Sequence, residues 1–186
     1  MTSEAPGFEA IERETVFEGA IFSVERGRFR HDDGREATRE KVHHDGAVGV
    51  VAHDGEHLYL VRQPREAINR SDVLEIPAGR LDVEGEEPLA AAQRELAEEI
   101  GLAADSWQHA TTYFSSAGFT DEEVHVFLAT GLRRVHQPET EEEERIELVR
   151  WPLADLDAAI DVTVDAKTLI GLLWLRRARG EGATSG

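Results

Sequence analysis

Apolar residues recur along this chain at two spacings, and the change between them predicts its elements. From Val16 to Val42 the pattern is strand-like, with Phe22 and Val24 alternating with polar residues. Phe29 falls out of that phase, which makes Gly27 a candidate bulge. Asp32-Asp33-Gly34 predicts a hairpin turn, because Asp-Gly supplies the positive φ such turns need. A second hairpin is predicted from Val48-Gly49-Val50-Val51 and Leu58-Tyr59-Leu60-Val61, which flank His53-Asp54-Gly55. Val73 to Ile76 reads as a short strand ended by Pro77.

From Glu87 to Ile100 the period changes to that of a helix. Leu89, Ala92, Leu96 and Ile100 share one face, Pro88 suits the first turn, and Gly101 ends it. Strands are predicted near Thr111 to Phe114, Val124 to Thr130 and Ile146 to Trp151, and helices over Leu153 to Ile160 and Ala166 to Ala178. Strands, helix, strands, helix is a mixed α/β order rather than a regular βαβ alternation.

Composition narrows the function. The 186 residues, 40% of them hydrophobic, suffice for one domain with a sizeable core. Twenty Lys and Arg against 38 Asp and Glu leave a net charge of −18, which repels nucleic-acid backbones and anionic lipid. No nucleic-acid and no membrane partner is therefore expected. A small anionic substrate remains compatible if metal ions stand between it and the protein. With no cysteine, disulfides, thiolate metal sites and cysteine nucleophiles are excluded. No apolar run approaches the roughly 20 residues of a membrane span, and MTSEAPGFEA lacks a secretory pattern, so a cytoplasmic location is expected.

The chemistry concentrates on the predicted helix after Glu87. Glu95, Glu98 and Glu99 stand at i, i+3 and i+4, so three carboxylates share one side within a turn. At a solvated surface that costs roughly a few tenths of a kcal/mol per pair, and three bunched glutamates alone would most simply be such a face. In a cleft they need cations, and hard oxygen donors suit Mg²⁺ or Mn²⁺. Arg94 can pair with Glu86 or another of these carboxylates and orient it. The eight histidines are scattered, and the adjacent His43 and His44 would face opposite ways on a strand, so all are read as surface or structural groups. Asp121-Glu122-Glu123 is read as loop charge.

Gly79, then Glu86, then seven residues, then Arg94-Glu95-Leu96-Ala97-Glu98-Glu99-Ile100-Gly101-Leu102 resembles the Nudix box, G-x5-E-x7-R-E-U-x-E-E-x-G-U with U aliphatic. Every specified position from Glu86 to Leu102 matches. The one departure is six residues rather than five between Gly79 and Glu86, in a loop where insertion costs little. Beyond the box, Glu75 to Asp82, Gly46-Ala47-Val48, Tyr113 to Glu122 and Asp165-Ala166-Lys167-Thr168 are similar to segments of ADP-ribose pyrophosphatases and related nucleotide-sugar hydrolases.

The resemblance implies a Nudix α/β/α sandwich with a mixed sheet (residues 46–180) and a small N-terminal antiparallel sheet (residues 8–45) that helps form a homodimer. It implies Glu95, Glu98, Glu99 and the Ala78 carbonyl as metal ligands, with Gly79, Glu86, Arg94 and Gly101 completing the box. Magnesium is the implied metal, with manganese as the alternative. Arg39, Glu40, Arg62 and Arg80 become candidate substrate contacts as a set, although each on its own reads more simply as a solvated strand residue. Beside Glu98 and Glu99, Glu142 or Glu144 in the acidic tract Glu139 to Glu144 becomes a candidate catalytic base. The implied reaction is hydrolysis of the diphosphate bond of ADP-ribose or a related nucleoside diphosphate sugar. Ala117 stands where the ADP-ribose subclass usually carries proline, which keeps other nucleotide sugars and diadenosine polyphosphates open. A non-catalytic nucleotide-sensing module would be signalled by loss of a metal glutamate, and none is lost. The acidity opposes a decapping enzyme, and the length opposes a nucleoside triphosphate sanitiser.

Overall fold

The computed structural model describes residues 7–135 and 145–180, which form two compact units. The first comprises the chain up to Gly46 together with Phe114–Glu123, and the second comprises Ala47–Tyr113 with the chain from Val124 onward.

In the first unit β1 (Phe8–Glu18), β2 (Ser23–His31) and β3 (Glu36–His43) form an antiparallel sheet in chain order. Asp32-Asp33-Gly34 makes the expected turn, with Gly34 at φ 81° and its N–H bonded to the His31 carbonyl at 2.8 Å. The first strand begins eight residues before the apolar alternation does. Its exposed side chains carry no period, and cross-strand pairs accompany the backbone ladder: Glu12 with Arg28 at 3.2 Å and Glu9 with Arg30 at 3.1 Å. Gly27 is not a bulge. It pairs regularly with Arg13 and Arg39, and the register shifts lie on β1, between Ala10 and Glu12 and between Thr15 and Phe17. The glycine makes room for a ring, because a Cβ there would stand 2.7 Å from Phe29.

Asp121 is more than loop charge. The Val42 N–H donates to the Phe119 carbonyl at 2.7 Å, and the Asp121 N–H donates to the Val42 carbonyl at 3.2 Å. The Asp121 carboxylate meets Lys41 Nζ at 2.8 Å, His43 Nδ1 at 2.9 Å and the His44 N–H at 3.1 Å. Partial burial pushes this carboxyl up, and the bonds from Lys41, His43 and His44 outweigh it and hold the pKa down at about 2. Among the histidines, His44 Nδ1 accepts from the Gly46 N–H at 3.0 Å, and His109 and His125 both bond the Thr112 hydroxyl.

The second unit contains β4 (Ala47–His53), β5 (His57–Arg65), β6 (Arg70–Glu75), β7 (Ala78–Arg80), α1 (Pro88–Ile100), β8 (Leu102–Phe114), β9 (Glu123–Arg134), β10 (Glu147–Pro152), a 3-10 turn at Leu153–Asp155, α2 (Leu156–Val162) and α3 (Ala166–Ala178). The sheet runs β10-β5-β4-β9-β8. It is mixed: β4 and β9 are parallel, whereas β4 with β5 and β5 with β10 are antiparallel. β4 and β5 pair only at Ala52–Tyr59 and His53–Leu58, next to their turn. Beyond it β6 takes the edge of β5 and β7 takes the edge of β4, so Ile76-Pro77 crosses a split in the sheet.

Alternate residues of the central strands face opposite layers. Val48 and Val50 pack with Ala91, Ala92, Leu96 and Ile100 of α1, whereas Val51, Leu58 and Leu60 pack with Leu156, Ala159, Leu172 and Leu175 of α2 and α3. The layers are helix, sheet, helix. Leu89, expected inward, is 39% exposed, and Ala91 takes the buried position. β8 starts at Leu102 rather than Thr111: Leu102 is buried, but the following Ala103 to Ala110 are half-buried or exposed and carry no regular apolar alternation. Among the described residues no helix is long and apolar enough to cross a membrane.

Two glycines seat Ile76, which is fully buried in the split. A Cβ at Gly49 would stand 2.8 Å from its Cδ1, and one at Gly171 of α3 would stand 2.8 Å from Val51 and 3.4 Å from Ile76. Gly171→Ala gains about 1 kcal/mol of helix propensity but overpacks a closed core at a cost of about 1–3 kcal/mol. The expected outcome in urea denaturation is a net loss of about 1 kcal/mol. For Asp121, a folded pKa near 2 against an ordinary 3.8 means its anchoring is fully present above about pH 4 and is lost as pH falls through 2. Acidification through that window should lower the protection of the Val42 and Asp121 amides relative to unfolded-chain exchange rates in the wild type, and Asp121→Asn should show low protection throughout.

Candidate active site

Helix α1 carries the acidic cluster because its ends and its apolar stripe are set by sequence. Pro88 occupies the first turn, and Gly101 closes the last at φ 69°, its N–H returning to the Ala97 carbonyl at 2.9 Å. With Ala92, Leu96 and Ile100 packed on the sheet, Glu95, Glu98 and Glu99 are left to meet the segments before the helix.

Arg94 gathers three carboxylates. Its Nε and Nη2 fork onto Glu86 at 3.2 and 3.0 Å, and its Nη1 reaches Glu95 at 2.7 Å and Glu98 at 3.0 Å. The hydrogen bond to Glu86 is foremost in holding this guanidinium pKa above its ordinary value, so its charge is permanent. Three carboxylates sharing one guanidinium leave the group net negative. Glu99, nearly buried, turns instead to the loop, where its Oε2 accepts from the Ala78 N–H at 3.0 Å. The extra residue between Gly79 and Glu86 disturbs none of this.

These residues fit a divalent cation in their chemistry. The donors are hard carboxylate oxygens beside a backbone turn, and the approach depends on Gly79: a Cβ there would land on the Glu95 carboxylate, well inside contact distance. Among the described residues no three carboxylate or imidazole side chains already converge as a metal cage. Glu95 and Glu98 are drawn to Arg94, while Glu99 lies on Ala78.

The remaining predicted site residues are dispersed. Arg62 lies on β5 opposite Leu74 and Glu147, and Arg80 pairs with Asp82 at 2.7 Å. Arg39 and Glu40 belong to the three-stranded sheet, where Glu40 pairs with Arg26 at 3.1 Å and Arg39 donates to the Thr38 carbonyl. Glu142 and Glu144 lie outside the described residues.

One cluster was not legible as part of the site. Glu75, 1% exposed at the end of β6, accepts from Arg65 Nε and Nη2 at 2.7 and 2.8 Å and from Lys167 Nζ. Burial pushes its carboxyl up, but the Arg65 hydrogen bond and the Lys167 charge outweigh it and hold it below the usual range. The available signal was a glutamate inside the apolar run Val73-Leu74-Glu75-Ile76, where a charge has to be paired.

The NUDIX domain model matches residues 43–172. The chain is 45% identical over 150 residues to an ADP-ribose pyrophosphatase of Mycobacterium tuberculosis, covering 80% of this chain and 72% of that one. It is 36% identical over 172 residues to an ADP-ribose pyrophosphatase of Bacillus subtilis, covering 90% and 92%. A crystal structure of an ADP compounds hydrolase superposes with a TM-score of 0.82 over 98% of this chain and 100% of that one, and at 24% identity it shows the shared fold. With the box geometry, the domain match and these identities in agreement, the chain belongs to the Nudix hydrolase family.

Proposed function

We propose that this enzyme hydrolyses the diphosphate bond of ADP-ribose, releasing AMP and ribose 5-phosphate, or that of a closely related nucleoside diphosphate sugar. The observation that carries the reading is the carboxylate group of α1, held by Arg94 and the Ala78 amide, in a chain 45% identical to an ADP-ribose pyrophosphatase.

Glu95, Glu98, Glu99 and the Ala78 carbonyl are proposed to hold Mg²⁺, with Mn²⁺ as a substitute. A divalent cation bound there neutralises diphosphate charge and lowers the pKa of a bound water. Glu86 keeps Arg94 in place, Arg94 keeps Glu95 and Glu98 from repelling apart, and the Ala78 N–H orients Glu99. A carboxylate, proposed as Glu142 or Glu144, takes the proton of the attacking water. Arg39, Glu40, Arg62 and Arg80 are proposed substrate contacts, the arginines through phosphate oxygens. The three-stranded sheet exposes Phe8 and Phe17, with Phe22 exposed in the turn between β1 and β2, which supports the proposal that it joins two copies of the chain; the proposed location is the cytoplasm.

The test is chromatographic product analysis with ADP-ribose and Mg²⁺, beside UDP-glucose, GDP-mannose, NADH and diadenosine polyphosphates. AMP released fastest from ADP-ribose is the expected result. Faster cleavage of another compound would move the assignment and mark Ala117 as a change of specificity, and no turnover at all would return the chain to a sensing role. Glu99→Gln should lower kcat by more than about 100-fold, since even the outer partners of metal ligands are worth roughly 10–100-fold. Gly79→Ala, which forces Glu95 aside, should cost about 10–100-fold and raise the Mg²⁺ concentration for half-activity, with an unchanged circular dichroism spectrum.

A further inference from the structure

A chain of ion pairs centred on the buried Glu75 lies outside the box. Arg65 binds Glu75 side-on, Glu75 accepts from Lys167, and Lys167 Nζ also donates to Asp165 Oδ1 at 3.0 Å. The four formal charges cancel. Asp165 is also the N-cap of α3, its Oδ2 accepting from the Thr168 N–H at 2.9 Å and the Thr168 hydroxyl at 2.7 Å. That hydroxyl, fully buried, in turn accepts from the Ile76 N–H at 2.9 Å.

These bonds bear on one short stretch of backbone. The Glu75 side chain is held by Arg65 and Lys167, the Ile76 N–H by Thr168, the Pro77 carbonyl by the Val50 N–H at 2.8 Å, and the Ala78 N–H by Glu99 at 3.0 Å. The stretch from Glu75 to Ala78 crosses the split between β6 and β7, where neither neighbouring strand gives it a continuous ladder. Arg65 also feels the charge of Glu99, so the buried chain and the acidic cluster share one electrostatic environment.

We infer that Lys167 and Thr168, at the opening of the last helix, are positioning residues for hydrolysis: with Asp165 they fix the Glu75–Ala78 backbone and so the place of Ala78 and Glu99. Neither residue touches the reacting atoms. The inference rests on the proposed function, because it assigns these residues to that reaction. Its physical basis is that a misplacement of about 1 Å at a reacting centre can cost roughly 100-fold in rate.

The test uses Lys167→Met, Thr168→Val and Thr168→Ser in the full chain. Thr168→Val keeps shape but removes the acceptor for the Ile76 N–H, and Thr168→Ser keeps the acceptor but loses a buried methyl. At a temperature where all three are folded, Lys167→Met and Thr168→Val should lower kcat by about tenfold or more with little change in KM, in the range seen for residues behind metal ligands. Thr168→Ser should restore kcat to near wild type despite a lower melting temperature. In the metal-free protein, amide exchange at Ile76 and Ala78 should quicken in Lys167→Met and Thr168→Val and stay unchanged within α1 around Leu96. A kcat that simply follows melting temperature, or unchanged exchange at Ala78, overturns the inference. If the wild type cleaves no nucleotide sugar, the proposed function fails by itself, and the exchange measurement still decides whether this backbone is held as described.

Discussion

The split between β4 and β5 is the constraint on which the rest of this structure depends. Two strands that pair next to their turn and then diverge leave backbone donors and acceptors with no continuous partner, and buried groups of that kind cannot stay unpaired. The chain fills the opening with Glu75, Ile76, Pro77 and Ala78, which take their partners from four elements: β5 and α3 for Glu75, α3 again for Ile76, β4 for Pro77 and α1 for Ala78. A segment restrained from so many sides has little freedom to relax. That is the condition for holding carboxylates in a repulsive arrangement beside it.

The electrostatics divide along the same segment. On the α1 side, Glu86, Glu95 and Glu98 share the single charge of Arg94, and the group remains negative. On the α3 side, Arg65, Glu75, Lys167 and Asp165 balance, with Glu75 deeply buried between its two cations. A neutral, fully bonded network suits a supporting layer, because an uncompensated buried charge would be strongly destabilising. A net negative cluster suits a place where cations arrive. The two sides of the Glu75–Ala78 segment thus differ in charge balance, although both are built from the same residue types.

Much of this was readable from the chain alone. Helix α1 was legible because Pro88, the 3.6-residue apolar period and Gly101 all act locally, and α3 because Ala166 to Ala178 is a long run without strand alternation. The spacing of Glu95, Glu98 and Glu99 follows from helix geometry, and Arg94 lies within reach of them for the same reason. The first strand and the start of β8 were not legible, since strands exposed to solvent need only backbone pairing and leave no apolar period. Gly27 was misread because a glycine that makes room for Phe29 and a glycine that makes a bulge look alike in a sequence.

What the sequence determined by itself is whatever depends on neighbours within one turn of helix or one hairpin, or on composition: the box, its carboxylate spacing, the Asp-Gly turns, the mixed α/β order of elements and the exclusion of thiol chemistry. What only the tertiary structure decided is which distant residues stand against the box. Glu75 and Lys167 are 92 residues apart, as are Ile76 and Thr168, and no local rule relates them. Their meeting follows from α3 packing across the sheet opposite α1, with Gly171 thin enough to let Ile76 and Val51 close beneath it. Contacts of that range depend on the register of the whole core, and a residue's own spacing along the chain carries no record of it.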